Sequence, residues 1–214
     1  MGDVSLLTIT GKKIAPEKWN NRPKWYCQGI LVEGDDAPPF LLAPEAQQLP
    51  FVTNKRNPEH VDETKFAMFG EKSLLLDGRH ISNALSELYQ EFGYSAPALQ
   101  YCRKYAHGRF RQGQWGLPTP MQLSTMFRCH QEIRLCADVL GMDKERSWNT
   151  MHRYLYFWSC SIETPLRIWT HVFYSKAIGS FVDDGCNNCW AWPVLSAKRL
   201  SKKSLWETEL RTSD

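Results

Sequence analysis

Two cysteines with a recognisable spacing lie near the end of the chain, and they are the first candidates for chemistry. Cys186 and Cys189 have the CxxC spacing of half a zinc site or of a redox pair. Structural zinc needs four ligands, and Cys129, His130 and Cys136 could complete the set only if the fold brought them close. A redox pair usually precedes a helix, which lowers the thiol pKa, whereas this pair lies in a predicted turn. We therefore interpret both residues as loop cysteines and predict neither a metal nor a cofactor.

Hard oxygen donors surround this pair. Asp183, Asp184, Asn187 and Asn188 lie in the same loop, and their oxygen atoms are of the type that calcium prefers. The spacing of an EF-hand loop is absent, and the same residue types are common in turns. We interpret them as turn-forming residues and leave calcium binding near Asp183 open.

A basic stretch without carboxylates is the third candidate. It contains Arg103, Lys104, Arg109 and Arg111, interleaved with aromatic residues. Such a stretch could bind phosphate, a sulfated glycan or single-stranded nucleic acid. A solvated helix face and loop is the favoured interpretation. The formal charge of the whole chain is only +3, so nucleic acid is not an expected partner.

The sequence shows no recognisable catalytic set. His152 and His171 are isolated among aromatic residues, where a histidine more often packs than catalyses. There is no glycine-rich phosphate loop and no dinucleotide fingerprint. We therefore predict that the protein is not an enzyme.

Composition indicates a folded protein with a large aromatic core. The 214 residues are 43% hydrophobic and include nine Trp, eight Tyr and ten Phe. No apolar stretch is long enough to span a membrane, so no membrane insertion is expected. Residues 1–7 lack the features of a signal peptide, and the odd number of cysteines, seven, indicates free thiols in a reducing compartment.

Hydrophobic periodicity predicts strands, then helices, then strands again. We expect a strand at 6–14, a hairpin at 25–43, and a surface loop at 44–62 with one helical turn at 45–49. Two to four helices packed on the sheet should follow, with helical segments at 81–92, from Pro97, from Pro120 behind a Thr119 capping box, and at 131–140. An antiparallel meander should end the fold, with strands at 154–160, 168–174, 178–182 and 190–197. This order predicts an α+β protein, with Trp115 in its core.

Four blocks in a fixed order suggest a family. They are Tyr101–Tyr105 together with Gly113–Leu123, Phe157–Glu163, Trp169–Phe173 with Gly179, and Trp192–Val194. Together they resemble the C-type-lectin-like domains of the formylglycine-generating-enzyme superfold, and most of all the Lcl C-terminal-like domains of bacterial surface and phage proteins. The resemblance implies a C-type-lectin-like core at 73–198, preceded by strands, a hairpin and a loop at 1–72 of the same domain, and followed by a basic tail at 199–214.

The same resemblance departs from the sugar-binding lectins and from the generating enzyme. The Glu-Pro-Asn, Gln-Pro-Asp and Trp-Asn-Asp triplets of calcium-dependent lectins are absent. Trp192 stands where the family has an arginine, and Cys160 stands where it has a serine. The arginine-rich block with paired catalytic cysteines is also missing. Calcium-mediated sugar binding is therefore not implied.

The resemblance implies a non-enzymatic recognition module whose ligand surface is built from the C-terminal strands. We expect a glycan or protein ligand, with a homo-oligomer or virion proteins as further partners, in a phage virion or tail, on a bacterial surface, or in the cytoplasm. The sheet should pack one face on the helices and leave the other for solvent or a partner. A structural virion assembly protein and a cysteine-dependent oxidase of the generating-enzyme type are the alternatives. The expected ligand-binding residues are Trp169, His171, Tyr174, Asp183, Asp184, Asn187, Asn188 and Trp190.

Overall fold

The computed structural model describes residues 2–20, 22–35, 37–53, 62–70, 78–142, 155–173 and 178–196. Its strands are β1 (Asp3–Thr8), β2 (Lys13–Ile14), β3 (Cys27–Glu33), β4 (Phe40–Leu42), β5 (Gln47–Pro50), β6 (Leu155–Thr164), β7 (Arg167–Phe173), β8 (Ile178–Asp184), β9 (Asn188–Ala191) and β10 (Val194–Ser196). Its helices are α1 (Glu63–Phe66), α2 (Gly78–Glu91), α3 (Pro97–Lys104), α4 (Pro120–Arg128) and α5 (His130–Val139). Short 3₁₀ turns lie at Pro16–Lys18, Lys24–Tyr26 and Ala67–Phe69.

The strands form two five-stranded sheets, and the α+β class is confirmed. Sheet 1 has the order β10-β4-β3-β1-β2 and is antiparallel throughout. Sheet 2 has the order β5-β9-β6-β7-β8 and is antiparallel except where β9 pairs with β6. Sheet 1 joins the N-terminal strands to β10, which comes last among the described strands.

Several predicted elements are wrong in detail. The strand expected at 6–14 is a hairpin, because the chain turns after Thr8 and Gly11 adopts a φ of +78°. The helical turn expected at 45–49 is replaced by strand β5, which pairs with β9. The last strand, expected at 190–197, is two strands in different sheets. The strands expected to form a single meander are therefore divided between two sheets. The sequence did not predict this division, because prolines and turns show where strands end but not which strands pair.

The predicted helices agree more closely with the structure. Helix α2 ends before Gly93, which has a φ of +76°. Thr119 forms the predicted capping box of α4: its hydroxyl accepts from the backbone N–H of Gln122 at 3.2 Å, and the Gln122 side chain accepts from the backbone N–H of Thr119 at 2.9 Å. Trp115 is fully buried and α4 begins at Pro120, as predicted.

Two apolar clusters fill the interior. The first lies between sheet 1, α4 and α5 and reaches Phe157 and Phe173 of sheet 2. The second lies between the opposite face of sheet 2 and helices α1, α2 and α3, around Trp158 and Tyr89. Both faces are therefore buried at the end of β7: His171 and Phe173 are 5% and 6% exposed on one face, and Val172 is 1% exposed on the other. The aromatic face that we expected to be open is closed at these two residues, where Phe127 of α4 packs against Phe173 at 5.3 Å. Trp169, on the same face, is half-buried.

A short extended segment ties the two sheets together. Gly116 exchanges backbone hydrogen bonds with Val194 of sheet 1 at 2.8 and 3.0 Å. Two residues later, the carbonyl of Pro118 accepts a hydrogen bond from the backbone N–H of Cys160 in sheet 2 at 2.9 Å. The segment between the predicted α3 and α4 is thus part of the core.

Candidate functional site: an aromatic pocket

A pocket of about 380 Å³ lies where the chain leaves sheet 2 and enters sheet 1. This volume falls within the range of small-ligand sites, which begins at roughly 300 Å³. Its wall combines four aromatic rings with aliphatic side chains and a few polar groups. The lining residues are Lys24, Pro44, Glu45, Ala46, Gln47, Tyr101, Met142, Leu155, Phe157, Trp190 and Trp192.

The buried part of the wall is rigidly held. The rings of Phe157 and Trp192 stack at 6.2 Å between centroids and 23° between planes. The Trp192 indole N–H donates to the backbone carbonyl of Ala43 at 2.8 Å, so its polar atom is satisfied inside the protein. Phe173 packs against Phe157 at 4.7 Å. Trp192 lies between β9 and β10, so the crossing of the chain between the sheets positions this ring.

Trp190 is the accessible aromatic residue of the C-terminal strands in this pocket. It lies on β9 and is half-buried, whereas its neighbours Cys189 and Ala191 point into the second apolar cluster. The pairing of β9 with β6 sets Trp190 beside Phe157. Strand alternation thus presents one indole to the pocket and hides the residues on either side of it.

Polar groups lie at the rim of the pocket. The ammonium group of Lys24 and a carboxylate oxygen of Glu45 form an ion pair at 3.2 Å, with both side chains accessible to solvent. Gln47, an exposed residue, adds an amide. The turn before β3 and the segment that leads from β4 into β5 therefore supply hydrogen-bonding groups around an apolar interior.

This arrangement suits binding of a flat ligand with one apolar face. Aromatic rings offer large rigid contact areas at low entropic cost, and the rim can meet hydroxyl or amide groups. The described lining residues include no Cys, His or Ser.

The structure separates the residues predicted to bind a ligand. Trp190 lines the pocket. His171 pairs in register with Phe157 and is buried, and its Nδ1 atom has no hydrogen-bond partner within the described residues. Burial lowers the pKa of His171 to about 4. Trp169 is half-buried on the same strand, and Tyr174 lies outside the described residues.

The predicted acidic and amide residues lie at the turn between β8 and β9. The Asn187 side-chain amide donates to Asp183 at 2.7 Å, and Asp184 accepts from the backbone N–H of Cys186 at 3.0 Å. Asn188 is exposed at the start of β9. The oxygen donors thus hold the turn itself, in the manner of the turn-forming interpretation.

The two CxxC thiols occupy different environments. Cys186 is exposed, whereas Cys189 is 2% exposed and its sulfur lies 3.8 Å from an Asp183 carboxylate oxygen. Burial is the largest of the effects that raise the pKa of each thiol. Neither cysteine has the lowered pKa of a reactive thiol.

The basic stretch divides between two places. Arg103 and Lys104 end α3, where Arg103 pairs with Glu87 at 3.1 Å. Arg109 lies across from β3, its backbone N–H donating to Gln28 at 3.0 Å and its guanidinium lying over Phe110. Arg111 donates its backbone N–H to Gln114. Gly113, two residues after Arg111, donates its backbone N–H to the carbonyl of Arg103 at 2.7 Å, so the segment after Arg111 returns to the end of α3.

Sequence reasoning missed most of the pocket. Lys24, Glu45, Gln47 and Met142 come from segments interpreted as loops or helix ends, and only folding brings them together. A detectable signal was the Trp-Ala-Trp alternation at residues 190–192, which places two indoles on one side of a strand.

Two further features are absent from the part of the chain that the structure describes. The described ranges contain no cluster of three or more His, Cys, Asp or Glu side chains able to hold a metal ion. They also contain no helix with the length and apolar character needed to cross a bilayer.

Comparisons with known proteins give a fold neighbour and no family. No protein-family model matches the chain, and no curated protein sequence matches it. The fold is similar to that of a fimbrial protein from Bacteroides ovatus, with a TM-score of 0.59 at 12% sequence identity. The match covers 90% of this chain and 48% of the fimbrial protein, so the chain spans about half of that protein's length. The C-type-lectin-like assignment has no support from a family model and stays a prediction.

Proposed function

We propose that this protein is a non-enzymatic recognition module of a bacterial surface assembly, and that it binds a glycan by stacking a sugar ring in the aromatic pocket. The observation that carries the proposal is the pocket itself: a half-buried Trp190 beside the buried Phe157 and Trp192, with polar side chains at the rim. A pyranose ring has an apolar face for the indole and hydroxyl groups for Lys24, Glu45 and Gln47. The fold shared with a fimbrial protein supports a surface role.

The proposal is tested by titrating the protein with neutral methyl pyranosides and short neutral oligosaccharides, followed by tryptophan fluorescence and ligand-observed NMR. Trp190→Ala should weaken binding at least tenfold, because it removes the accessible stacking surface; tenfold corresponds to about 1.4 kcal/mol. Trp190→Phe, which keeps an aromatic ring, should weaken binding less and guards against misfolding. Trp25→Ala is the matched control, since Trp25 is 66% exposed and does not line the pocket.

The proposal fails if Trp190→Ala binds the sugars as tightly as the wild type. It also fails if no neutral sugar in the panel binds at millimolar concentration while the protein remains folded.

A second candidate is an assembly protein whose pocket receives an apolar side chain from another subunit. The exposed Trp25 favours it, because its neighbour Lys24 lies at the rim of the pocket. The similarity in fold to a fimbrial protein favours it as well. A virion or tail role is a narrower version of either candidate. If the pocket receives a side chain of another subunit, Trp25→Ala should reduce self-association in sedimentation experiments. If the pocket binds a glycan instead, Trp25→Ala should leave the sedimentation behaviour unchanged.

A further inference from the structure

A second, larger concavity lies on the other side of α3. It is an open groove of about 900 Å³ between α2 and α3, closed at one end by the segment at Gln112 and Gly113. Gln100, Arg103 and Lys104 of α3 line the groove, whereas Tyr101 of the same helix lines the aromatic pocket. Helix α3 therefore contributes residues to the walls of two concavities, one largely aromatic and one polar.

The groove wall is polar and carries cations. Three glutamine amides and two serine hydroxyls line it, and the described lining residues include two cations and no carboxylate. The lining residues are Ser86, Gln90, Gly93, Tyr94, Ser95, Gln100, Arg103, Lys104, Gln112 and Gly113.

A buried hydroxyl group in this wall has no hydrogen-bond partner. Tyr94 is 5% exposed, and within the described residues its hydroxyl oxygen has no hydrogen-bond partner. Gly93, with a φ of +76°, turns the chain after α2, and the Tyr94 ring then packs edge-on against Tyr89 at 6.0 Å. A buried hydroxyl without a partner costs free energy, and a ligand that displaces part of the groove wall and reaches this oxygen would recover it.

The cations at the groove keep binding capacity. Within the described residues, Arg103 contacts Glu87 through Nη2, and a guanidinium has five N–H donors in a planar fork that matches carboxylate and sulfate oxygens. Lys104 is exposed beside it. With Glu87 at the same rim, the local charge is only weakly positive, which suits a single anionic group better than a polyanion.

Nucleic acid fits the groove poorly. Single-stranded nucleic acid is held by aromatic faces on which bases stack, and the Tyr94 ring is buried against Tyr89. Amide and hydroxyl groups beside a guanidinium instead match sugar hydroxyls together with a carboxylate or sulfate.

We propose that the groove between α2 and α3 is a second binding site, and that its ligand is a saccharide carrying a carboxylate or sulfate group. Arg103 binds the anionic oxygens, the glutamine amides bind sugar hydroxyls, and the Tyr94 hydroxyl supplies one buried hydrogen bond. This site does not depend on the sugar-stacking role of the aromatic pocket.

The experiment measures binding of three oligosaccharides of similar length by isothermal titration calorimetry: a sulfated chondroitin fragment, an oligogalacturonate and neutral maltohexaose. The full chain is used throughout. At least one anionic oligosaccharide should bind at least tenfold more tightly than maltohexaose, and added salt should weaken that binding. The sulfated and carboxylated probes distinguish which anionic group is preferred.

Matched variants locate the site. Arg103→Gln should weaken anionic binding at least tenfold, and Tyr94→Phe should weaken it three- to tenfold without lowering thermal stability. Arg128→Gln is the control, because Arg128 is also a basic residue in the last turn of its helix. Trp190→Ala should leave anionic binding unchanged.

Three results would overturn this inference: equal binding of neutral and anionic oligosaccharides, equal losses in Arg103→Gln and Arg128→Gln, or unchanged binding in both groove variants. Loss of anionic binding in Trp190→Ala, with both groove variants unaffected, would move the ligand to the aromatic pocket and leave the proposed function standing.

Discussion

His171 shows how burial changes the behaviour of a single residue. The sequence places it among aromatic residues of the predicted ligand surface, yet it lies in the core beside Phe157. Desolvation lowers its pKa to about 4, compared with an ordinary value near 6.5. The side chain is therefore neutral at physiological pH and cannot serve there as a cationic ligand group.

His171 should make stability depend on pH. Because its folded-state pKa is depressed, the unfolded chain binds a proton between about pH 6.5 and 4 while the folded protein does not. Stability should therefore fall as pH is lowered through this window, by a maximum of about 3 kcal/mol. Urea unfolding at pH 7.5, 5.5 and 4.5 measures it.

His171→Gln provides the control, since it removes the titrating group and should flatten the pH dependence over this window relative to wild type. Parallel pH profiles for the two proteins would show that His171 is not the group responsible.

Among the elements, α4 is the one whose start is most clearly encoded. The side chains of Thr119 and Gln122 satisfy two backbone N–H groups at the beginning of the helix, and Pro120 at the first helical position has no N–H to satisfy. Its other end carries Phe127, whose ring packs against Phe173 of sheet 2 at 5.3 Å. Local capping and distant packing thus stabilise the same helix.

Replacement of the cap should lower stability by a predictable amount. Thr119→Ala removes the hydroxyl that accepts from Gln122, and it should reduce the free energy of unfolding by about 1 kcal/mol. Chemical denaturation measures the change. Thr119→Ser retains the hydroxyl and should remain within a few tenths of wild type, and a loss in Thr119→Ser as large as in Thr119→Ala would show that the methyl group, not the cap, matters.

On the scale of the whole molecule, the two sheets share one interior. Phe157 and Phe173 of sheet 2 belong to the same apolar cluster as Leu6 and Ile30 of sheet 1. The segment from Gly116 to Pro118 hydrogen-bonds to both sheets. Neither sheet can lose its packing without exposing apolar surface of the other.

We therefore expect one cooperative unfolding transition. Far-UV circular dichroism and tryptophan fluorescence should report the same midpoint, since Trp115, Trp158 and Trp192 are buried in the two clusters. Two separated transitions, or probes with different midpoints, would show that the sheets unfold independently.

The sequence by itself determined what depends on neighbouring residues. The α+β class, the capping box at Thr119, the end of α2 before Gly93 and the β3–β4 hairpin follow from periodicity and turn chemistry, which act over a few positions. The burial of Trp115 was also predictable, because a large ring beside a helix start rarely remains in solvent.

Only the tertiary structure decided which strands pair and what the pocket contains. Residues 190–197 were predicted as one strand, but Trp192 and Pro193 separate β9 in sheet 2 from β10 in sheet 1. The partner strands β5 and β4 lie about 140 and about 150 residues earlier in the sequence, and no local pattern encodes a pairing over such separations. The pocket forms at this crossing. Trp190 was predicted as a ligand residue from its own segment, whereas Lys24 and Glu45 could be recognised as lining residues only after the chain had folded.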